Sequence, residues 1–450
     1  MIDRDVLARR LDEELDLFDS LHPRSAAQAA TARGRLVSGV PMPWMSRWPG
    51  RFPLFVDYAR GAHFVDLDGI DYVDFCMGDT GAMAGHALDP VATALHHQAL
   101  RGITTMLPTD DSVWVSEELT RRFGAAKWQF AMTATDANRF VLRLARGLTQ
   151  RPKVAVMDWC YHGTVDETLV VRGRDGETLS RPGAIGPQVD PALTTRVAHF
   201  NDIDDLDRVL AHGDVAVLLM EPALTNIGIV LPDDGYLEHV RELTRSHGVL
   251  LAIDETHTIC AGPGGCIARW NLEPDFVIVG KPIGGGMPVA VYGLSSGIAD
   301  RVEDMVAGHD IDVSGIGGTL SGNALAMSAL RATLSTTLRQ EDYDYMEPLA
   351  TKWADGVHDG YTRTGLPWHV QQLGCRAEYW FCPPPRNGAE AAAAVDHDLD
   401  AYMHLFCINR GVLLTPFHNM ALMSPSHTEA DVQVHTRVFA EAIDSLASKP

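Results

Sequence analysis

The stretch that decides the fold is Leu250–Val289, which reads LLAIDETHTICAGPGGCIARWNLEPDFVIVGKPIGGGMPV. It contains two short apolar runs, and the first extends back to Val249. Asp254 directly follows the first run, and Lys281 stands one residue beyond the second, Phe276–Val279. Continuous apolar runs of this kind are typical of strands buried on both faces of a parallel sheet. We therefore expect Asp254 and Lys281 to lie at the ends of neighbouring strands.

Similar runs occur on both sides of this stretch. They are Lys153–Asp158 (KVAVMD), Val215–Met220 (VAVLLM) and Val289–Leu294 (VAVYGL). Residues 235–248 (GYLEHVRELTRSHG) have helical periodicity between two of the runs, and Gly248 is placed to cap that helix at its C-terminus. Strands alternating with helices predict an α/β domain with a mainly parallel sheet flanked by helices, accompanied by a smaller α+β domain.

A length of 450 residues exceeds one ordinary core, so we expect more than one domain. We assign residues 1–75 to an N-terminal segment that contributes to the small domain and to dimer contacts. Residues 76–325 are assigned to a large cofactor-binding domain and residues 326–450 to a C-terminal small domain. Residues 3–20 predict an amphipathic helix, packed against a partner subunit or lying on the surface. Residues 62–75 predict a hairpin that turns at Asp68-Gly69.

The charge and the cysteine content of the chain indicate which partners it can bind and in which compartment we expect it. The chain has 59 acidic residues and 37 Lys plus Arg, for a formal net charge of −22, which argues against binding nucleic acid or anionic membranes. Seven irregularly spaced cysteines predict reduced thiols and a cytoplasmic location rather than a disulfide scaffold. The charged N-terminus does not resemble a signal peptide, and no apolar run is long enough for a membrane span.

Chemically active side chains directly follow several of the predicted strands, where ligands bind in open parallel sheets. They are Cys160-Tyr161-His162-Gly163, Glu221-Pro222, Asp254-Glu255-Thr256-His257 and Lys281. Lys281 stands between a buried strand and the glycine-rich turn after it, and burial makes an amine nucleophilic and suited to Schiff-base formation. A surface lysine before a flexible turn is the alternative for this segment taken alone.

Asp254 and the segment around Thr133 meet two further requirements of a pyridoxal phosphate (PLP) site. A buried carboxylate such as Asp254 keeps the cofactor's pyridine nitrogen protonated. Thr133-Ala134-Thr135-Asp136 precede a helical pattern, and a helix N-terminus with threonine hydroxyls can bind a phosphate. A helix that is merely capped explains this second segment equally well.

From about residue 35 to 440 the chain resembles the class-III aminotransferases of PLP fold type I, nearest to the glutamate-1-semialdehyde aminomutase-like branch. The motifs that carry the resemblance are Phe130–Ala137 with Arg143–Gly147, Cys160–Gly163, Glu221-Pro222, Leu250–Glu255, Gly280–Val289 and Gly318–Asn323.

The resemblance implies a role for each matching residue. Lys281 would form the Schiff base, Asp254 would bind the pyridine nitrogen, and Tyr161 would stack on the ring; these three are the predicted catalytic residues. The other predicted cofactor-binding residues are Thr133, Ala134 and Thr135 at the phosphate, Thr256 on the second ring face, His257 near the ring hydroxyl, His162, Glu221, and Thr319. Thr319 would reach the phosphate of a neighbouring subunit, which implies a homodimer with shared active sites.

Two departures from the family pattern bear on the reaction. Asn419 replaces a glutamate of the aminomutase motif, and Gly39–Trp44 lacks the arginine with which some β-amino-acid transaminases bind substrate. Met42, Trp44 and Met45 would instead form an apolar pocket wall or pack between domains. We therefore expect an aminotransferase that moves an amino group from a primary amine or amino acid to a keto acceptor such as pyruvate.

Four alternatives stay open on the sequence alone. Two keep the cofactor and change the reaction: an aminomutase of the glutamate-1-semialdehyde type, and a racemase or decarboxylase. The third is a non-catalytic member that binds PLP or a partner. The fourth is a zinc hydrolase with His257, Cys260 and Cys266 as ligands, although their spacing fits no compact zinc pattern. We predict no metal site.

Overall fold

The computed structural model describes residues 2–307, 314–416 and 418–447. The chain divides into two compact units, each built from more than one stretch of sequence. Unit 1 consists of residues 1–88, 341–384 and 394–450, and unit 2 consists of residues 89–340 and 385–393. The domain limits expected from the sequence, 75/76 and 325/326, stay predictions beside these observed divisions.

The α-helices of the described residues are α1 (Arg4–Leu21), α2 (Pro23–Arg33), α3 (Asp89–Ala99), α4 (Asp110–Phe123), α5 (Ala134–Thr149), α6 (Ile203–Leu210), α7 (Tyr236–Ser246), α8 (Gly265–Arg269), α9 (Ser296–Ala307), α10 (Ala324–Thr336), α11 (Gln340–Thr364), α12 (Gly388–Ala392), α13 (His397–Ile408) and α14 (Glu429–Ala447). The strands are β1 (Val56–Arg60), β2 (His63–Asp66), β3 (Asp71–Asp74), β4 (Lys127–Ala131), β5 (Lys153–Met157), β6 (Val170–Arg172), β7 (Thr178–Ser180), β8 (Thr195–Ala198), β9 (Val215–Met220), β10 (Leu250–Asp254), β11 (Phe276–Val279), β12 (Ala290–Leu294), β13 (His369–Leu373), β14 (Arg376–Trp380), β15 (Val412–Leu413) and β16 (Met420–Leu422).

Unit 2 is built on a seven-stranded sheet with the strand order β4-β12-β11-β10-β9-β5-β8. The central pairs β11–β10, β10–β9, β9–β5 and β5–β8 are parallel, whereas β12 runs antiparallel to both of its neighbours. The predicted mainly parallel sheet is therefore confirmed. The carboxyl ends of β5, β9, β10 and β11 meet along one edge, as the apolar runs of the sequence predicted.

Both faces of this sheet are covered. Every residue of β9, β10 and β11 is buried, and since alternate residues of a strand point to opposite faces, neither face is open to water. Helix α5 packs on β9, β11 and β12, while α7 packs on β10. Helix α7 ends at Ser246, and Gly248 has a φ of 63°, the left-handed conformation that favours glycine after a helix.

Unit 1 contains a four-stranded sheet, β1-β2-β3-β15, and a three-stranded sheet, β13-β14-β16. The predicted hairpin is formed by β2 and β3, and Gly69 in its turn has a φ of 86°. Phe64 and Tyr72 stack across the two strands with ring centroids 4.6 Å apart. The Tyr72 hydroxyl is 2.7 Å from Nε2 of buried His22, which ties the hairpin to the start of α2.

None of the helices in the described residues is both long and apolar enough to cross a membrane. No disulfide joins any of the seven cysteines; six of them are buried and Cys382 is partly exposed.

Glu14 anchors the N-terminal helix inside unit 1. Its carboxylate accepts hydrogen bonds from both terminal nitrogens of Arg410, at 2.9 Å each, and from the Asn409 amide at 2.7 Å. Glu14→Ala should lower the free energy of unfolding by about 2 kcal/mol, because it leaves charged donors without their acceptor. Glu13→Ala removes only exposed ion pairs on the same helix and should cost about 0.5 kcal/mol or less. Urea unfolding of both variants checks the difference, and equal losses would contradict it.

Candidate active site

The site begins where β10 ends, at Asp254. This side chain is 4% exposed and accepts three hydrogen bonds. Asn138 Nδ2 and His162 Nδ1 lie 3.0 and 2.9 Å from its Oδ2, and the Thr256 amide donates to Oδ1 at 3.0 Å. Asn138 is on α5 and His162 follows β5, so one carboxylate joins three elements of unit 2.

These hydrogen bonds set the charge of the group. Burial alone would raise the pKa of Asp254, but the bonds from His162, Thr256 and Asn138 outweigh it and lower the pKa to about 2. Burial alone would lower the pKa of His162, yet the neighbouring Cys160 thiol and Asp254 carboxylate raise it well above its ordinary value. Asp254 is thus a charged carboxylate in a water-poor site, suited to holding a protonated ring nitrogen.

Lys281 follows β11 in a single 3₁₀ turn, Lys281–Gly284. Its φ is 54°, a left-handed conformation that is costly for a residue with a side chain and that clusters at functional sites. Its Nζ is hydrogen-bonded to Nε2 of His257, which lies in the turn after β10. The structure therefore brings the predicted nucleophile to the same sheet edge as Asp254.

His257 is also held from its other side. Its Nδ1 is 2.9 Å from the hydroxyl of Thr225, and that hydroxyl donates to Oε1 of Glu221 at the end of β9. Both ring nitrogens of His257 are thus hydrogen-bonded, to Thr225 and Lys281, which argues against the zinc alternative. Three predicted residues, Glu221, His257 and Lys281, belong to one hydrogen-bonded chain, in which Glu221 and His257 are buried and Lys281 is partly exposed.

The third part of the site is the start of α5. Thr133 caps the helix, and its Oγ1 accepts from the Asp136 amide at 3.2 Å and donates to the Asp136 carboxylate at 3.0 Å. The first amides of a helix have no partner within the helix, so those of Ala134 and Thr135 are suited to an anion. A Cβ placed on Gly280 would lie 3.0 Å from the Ala134 side chain, so this helix end sits directly against the end of β11.

Thr135 is held by the loop after β5. The Thr164 amide donates to its Oγ1 at 3.1 Å, and a Cβ added to Gly163 would overlap the Thr135 side chain. Gly163 has a φ of 79°, so both its backbone and its surroundings require glycine. This contact brings the Tyr161–Gly163 motif to the predicted phosphate-binding residues.

Two residues that hydrogen-bond to Asp254 also carry a buried polar atom that a bound PLP could satisfy. Within residues 2–307, 314–416 and 418–447, the Thr256 hydroxyl and the Nε2 atom of His162 have no hydrogen-bond partner. A charged carboxylate, a lysine amine and a helix N-terminus lie along the same sheet edge. The residues present therefore fit the group: Lys281 would hold its carbonyl end, Asp254 its ring nitrogen, and the start of α5 its phosphate.

For two predicted residues, Tyr161 and Thr319, the proposed roles are not tested by the contacts described above. Tyr161 is partly exposed in the loop between Cys160 and His162, and its stacking on the ring stays a prediction. Thr319 is exposed in the turn at 318–321, and its role toward a second subunit likewise stays a prediction.

Two residues of the site were missed from the sequence, Asn138 and Thr225. Asn138 lies on helix α5, one turn beyond the predicted phosphate-binding residues. Thr225 stands four residues after Glu221, in the turn that follows β9. In each case the spacing to a predicted site residue was the available signal.

Glu255 is adjacent to Asp254 but is fully buried on other partners. Its carboxyl group accepts from the Thr258 hydroxyl at 2.5 Å and from the amides of Ile267 and Cys266 at 2.5 and 3.1 Å. Burial outweighs these bonds and raises the pKa of Glu255 to about 7. This side chain ties the segment after β10 to helix α8 rather than facing the site.

Comparison with known proteins gives a consistent picture. Residues 44–375 match the family described as Aminotransferase class-III. A glutamate-1-semialdehyde 2,1-aminomutase of Desulfitobacterium hafniense (strain Y51) is 32% identical over 429 residues, which cover 94% of this chain and 98% of that protein.

Solved structures agree with this match. The crystal structure of a glutamate-1-semialdehyde-aminomutase from Pseudomonas aeruginosa PAO1 is 47% identical, covers 99% of both chains and superposes with a TM-score of 0.97. A variant of that protein was solved in complex with PMP. An omega-transaminase from Sphaerobacter thermophilus is 26% identical, with a TM-score of 0.85 over 94% of this chain and 98% of the other.

The raised pKa of Glu255 predicts a pH-dependent contribution to stability. Between its unfolded value of about 4.5 and its folded value of about 7, the folded chain retains a proton that the unfolded chain releases. The contribution is therefore complete below pH 4.5 and is lost as pH rises to 7. Relative to Glu255→Gln, the native chain should lose about 3 kcal/mol across this interval.

Urea unfolding at several pH values measures this change. Exposed Glu238→Gln serves as the control and should follow the native curve. Parallel curves for the native chain and Glu255→Gln would disprove the assignment.

Proposed function

Because the chain belongs to the class-III aminotransferase family, we propose that it is an aminomutase, which moves an amino group between two carbons of one substrate of the glutamate-1-semialdehyde type. Membership confirms the predicted family, the predicted PLP fold type I, and pyridoxal 5'-phosphate as the cofactor. The chain is thus a PLP-dependent enzyme; the reaction and the individual site residues are what we propose.

One observation carries the choice of reaction. The Pseudomonas aeruginosa protein that aligns with 99% of the chain at 47% identity is described as an aminomutase, and so are the relatives at 32–34% identity. These similarities favour the alternative stated above over the expected aminotransferase with pyruvate as acceptor. The omega-transaminase is a more distant match, at 26% identity.

The residues of unit 2 supply the functions that amino-group transfer needs. Bound PLP provides an electron sink that acidifies the C–H bond beside the substrate nitrogen. Asp254 keeps a positive charge on the ring nitrogen favourable, since its own pKa is held near 2 by Asn138, His162 and Thr256. His162 and Asn138 fix the carboxylate in place, so no reorganisation is needed when charge develops.

Lys281 moves the proton in this scheme. Once its amine is free, it takes a proton from the substrate carbon and returns it at a neighbouring position, acting as base and then as acid. In an aminomutase the same lysine serves both halves of the reaction, because donor and acceptor carbons belong to one molecule. No separate keto acid is then required.

A second candidate is an aminotransferase with a separate keto acceptor, favoured by two features of unit 1. Asn419 stands in place of the aminomutase glutamate; it is buried and donates to the Asp400 carboxylate at 3.0 Å. The segment Gly39–Trp44 contains no arginine, and Met42 and Trp44 are each more than a third exposed. The first feature removes the carboxylate of the aminomutase motif, and the second leaves no arginine in this segment for a substrate carboxylate, which favours a primary amine as donor.

Substrate conversion without an acceptor separates the two candidates. Purified enzyme is given glutamate-1-semialdehyde alone, and the product with the amino group moved from C2 to C1, 5-amino-4-oxopentanoate, is followed by chromatography. Turnover to completion without a keto acid supports the aminomutase. Formation of product only after pyruvate is added, with stoichiometric alanine, would replace it with the aminotransferase.

We also propose that the chain acts as a homodimer with shared active sites, with Thr319 of one subunit near the phosphate of the other. The exposed position of Thr319 supports this proposal. Sedimentation equilibrium tests it, and a monomer with full activity would exclude it.

Lys281→Ala should abolish turnover, because Lys281 is proposed to supply both the covalent link to the cofactor and the proton transfer. Asp254→Asn should lower kcat by about 10³-fold, since the ring nitrogen loses its charged partner. Lys127→Ala, on an exposed lysine that pairs with Glu303, is the matched control and should leave kcat unchanged. Steady-state rates of the three variants check this, and an active Lys281→Ala enzyme would remove Lys281 from the mechanism.

A further inference from the structure

A hydrogen-bonded chain leads from the buried end of β9 to the amine of Lys281. We call Glu221, Thr225, His257 and Lys281 the Glu221 chain. Glu221, Thr225 and His257 are 2%, 0% and 7% exposed, so water does not compete for their hydrogen bonds. The successive contacts are Glu221 Oε1 with Thr225 Oγ1, Thr225 Oγ1 with His257 Nδ1, and His257 Nε2 with Lys281 Nζ.

With Glu221 as a carboxylate, the direction of every bond in the chain follows. A carboxylate only accepts, so the Thr225 hydroxyl gives its single proton to Glu221. The lone pair of that oxygen then accepts from His257, which places the ring proton on Nδ1. In the neutral ring Nε2 is therefore unprotonated, and it accepts from Lys281.

We propose that His257 is a catalytic proton acceptor for Lys281, held in the required tautomer by Thr225 and Glu221. In this step the N–H bond on Lys281 Nζ breaks, an N–H bond forms on His257 Nε2, and the lysine is left as a neutral amine. The reverse transfer restores both groups. Glu221 lies 3.8 Å from Nδ1 and stabilises the positive charge on the ring after transfer.

Several other titratable groups on the same elements have hydrogen-bond partners of their own. Asp254 is bound by His162 and Asn138, and Glu255 by the amides of Ile267 and Cys266. Burial raises the pKa of the Cys266 thiol well above its ordinary value. The same elements also carry the buried thiol of Cys260 and the guanidinium of Arg269, which donates to the carbonyl of Ala261.

A local acceptor answers a need of the proposed function, on which this inference rests through the role of Lys281. An amine substrate arrives protonated, and the released lysine must be neutral to act as a base. A proton must therefore be held away from Lys281 while the lysine acts as a base, and it is returned when the product amine leaves. His257 is in contact with the Lys281 amine and can hold that proton. Glu221 and Thr225 act through His257 and are positioning residues.

Trace acetylation of the full chain, stripped of cofactor, tests the transfer without relying on activity. Acetic anhydride reacts with neutral amines only, and peptide mass spectrometry reports Lys281 separately from the reference lysines Lys127 and Lys352. The logarithm of the acetylation rate of Lys281 is plotted against pH. If Lys281 and His257 share one proton, the plotted rate rises with pH, levels at an intermediate plateau, and then rises again. The height of that plateau is the fraction of molecules whose shared proton is on His257.

His257→Gln should give a single rise without the plateau, since glutamine accepts a hydrogen bond but does not titrate. Glutamine is similar in size to histidine and keeps a hydrogen-bond acceptor for Lys281, so the variant is expected to fold. A single rise in the native chain, superimposable on that of His257→Gln, would overturn the proposal.

Variants at Thr225 and Glu221 test whether these residues hold His257 in the required tautomer, or whether His257 affects Lys281 only by lying close to it. Thr225→Val should lower the plateau about tenfold, because the imidazolium loses a buried charged hydrogen bond. Glu221→Gln should lower it similarly, since the amide removes the negative charge and can donate to Thr225. Thr225→Ser should restore the native plateau. Thr244→Val is the control: Thr244 is equally buried but bonds to a helix carbonyl on α7, and its plateau should be unchanged.

Steady-state measurements on the holoenzyme complete the test. The acid limb of kcat in His257→Gln should shift to higher pH with KM little changed, and free imidazole should restore activity to His257→Ala. An unshifted limb and no rescue would limit His257 to a structural role. Failure of the aminomutase assay leaves the acetylation result intact, so the two proposals fail separately.

Discussion

A carboxylate removed from water stays charged only where hydrogen-bond donors surround it, and the arrangement of unit 2 depends on how Asp254 meets this condition. The donors come from three places: Asn138 on α5, His162 after β5, and the backbone after β10. Each element is thereby fixed relative to the others at the carboxyl edge of the sheet. The helix that begins at the predicted phosphate site and the loop that carries Tyr161 are positioned by the group that would face the ring nitrogen.

The pKa values of two adjacent carboxyl groups at this strand end are shifted in opposite directions. Asp254 is kept ionised with a pKa near 2, whereas burial raises the pKa of neighbouring Glu255 to about 7. Successive side chains at the end of a strand point to opposite sides, so one carboxyl serves the site and the other binds helix α8. Asp254 stays charged and Glu255 is readily protonated, although they are adjacent, because different hydrogen-bond donors surround the two carboxyl groups.

The sequence was informative where a short segment determines its own structure. The buried strands, the capped start of α5 and the alignment of Asp254 with Lys281 follow from local pattern. Asn138 and Thr225 could not be predicted in their roles, because a helical asparagine and a loop threonine acquire a function only through partners more than thirty residues away in sequence. The antiparallel direction of β12 escaped prediction for a similar reason, since an apolar run has no polarity.

The close contact between Gly280 and Ala134 has a mechanical consequence. A Cβ on the last position before Lys281 would lie 3.0 Å from the side chain of the first residue of α5, so the two backbone segments pack directly against each other. A cofactor held at one end by the helix and at the other by the lysine would have its two anchors on this contact, and the packing of the two segments would set the distance between them.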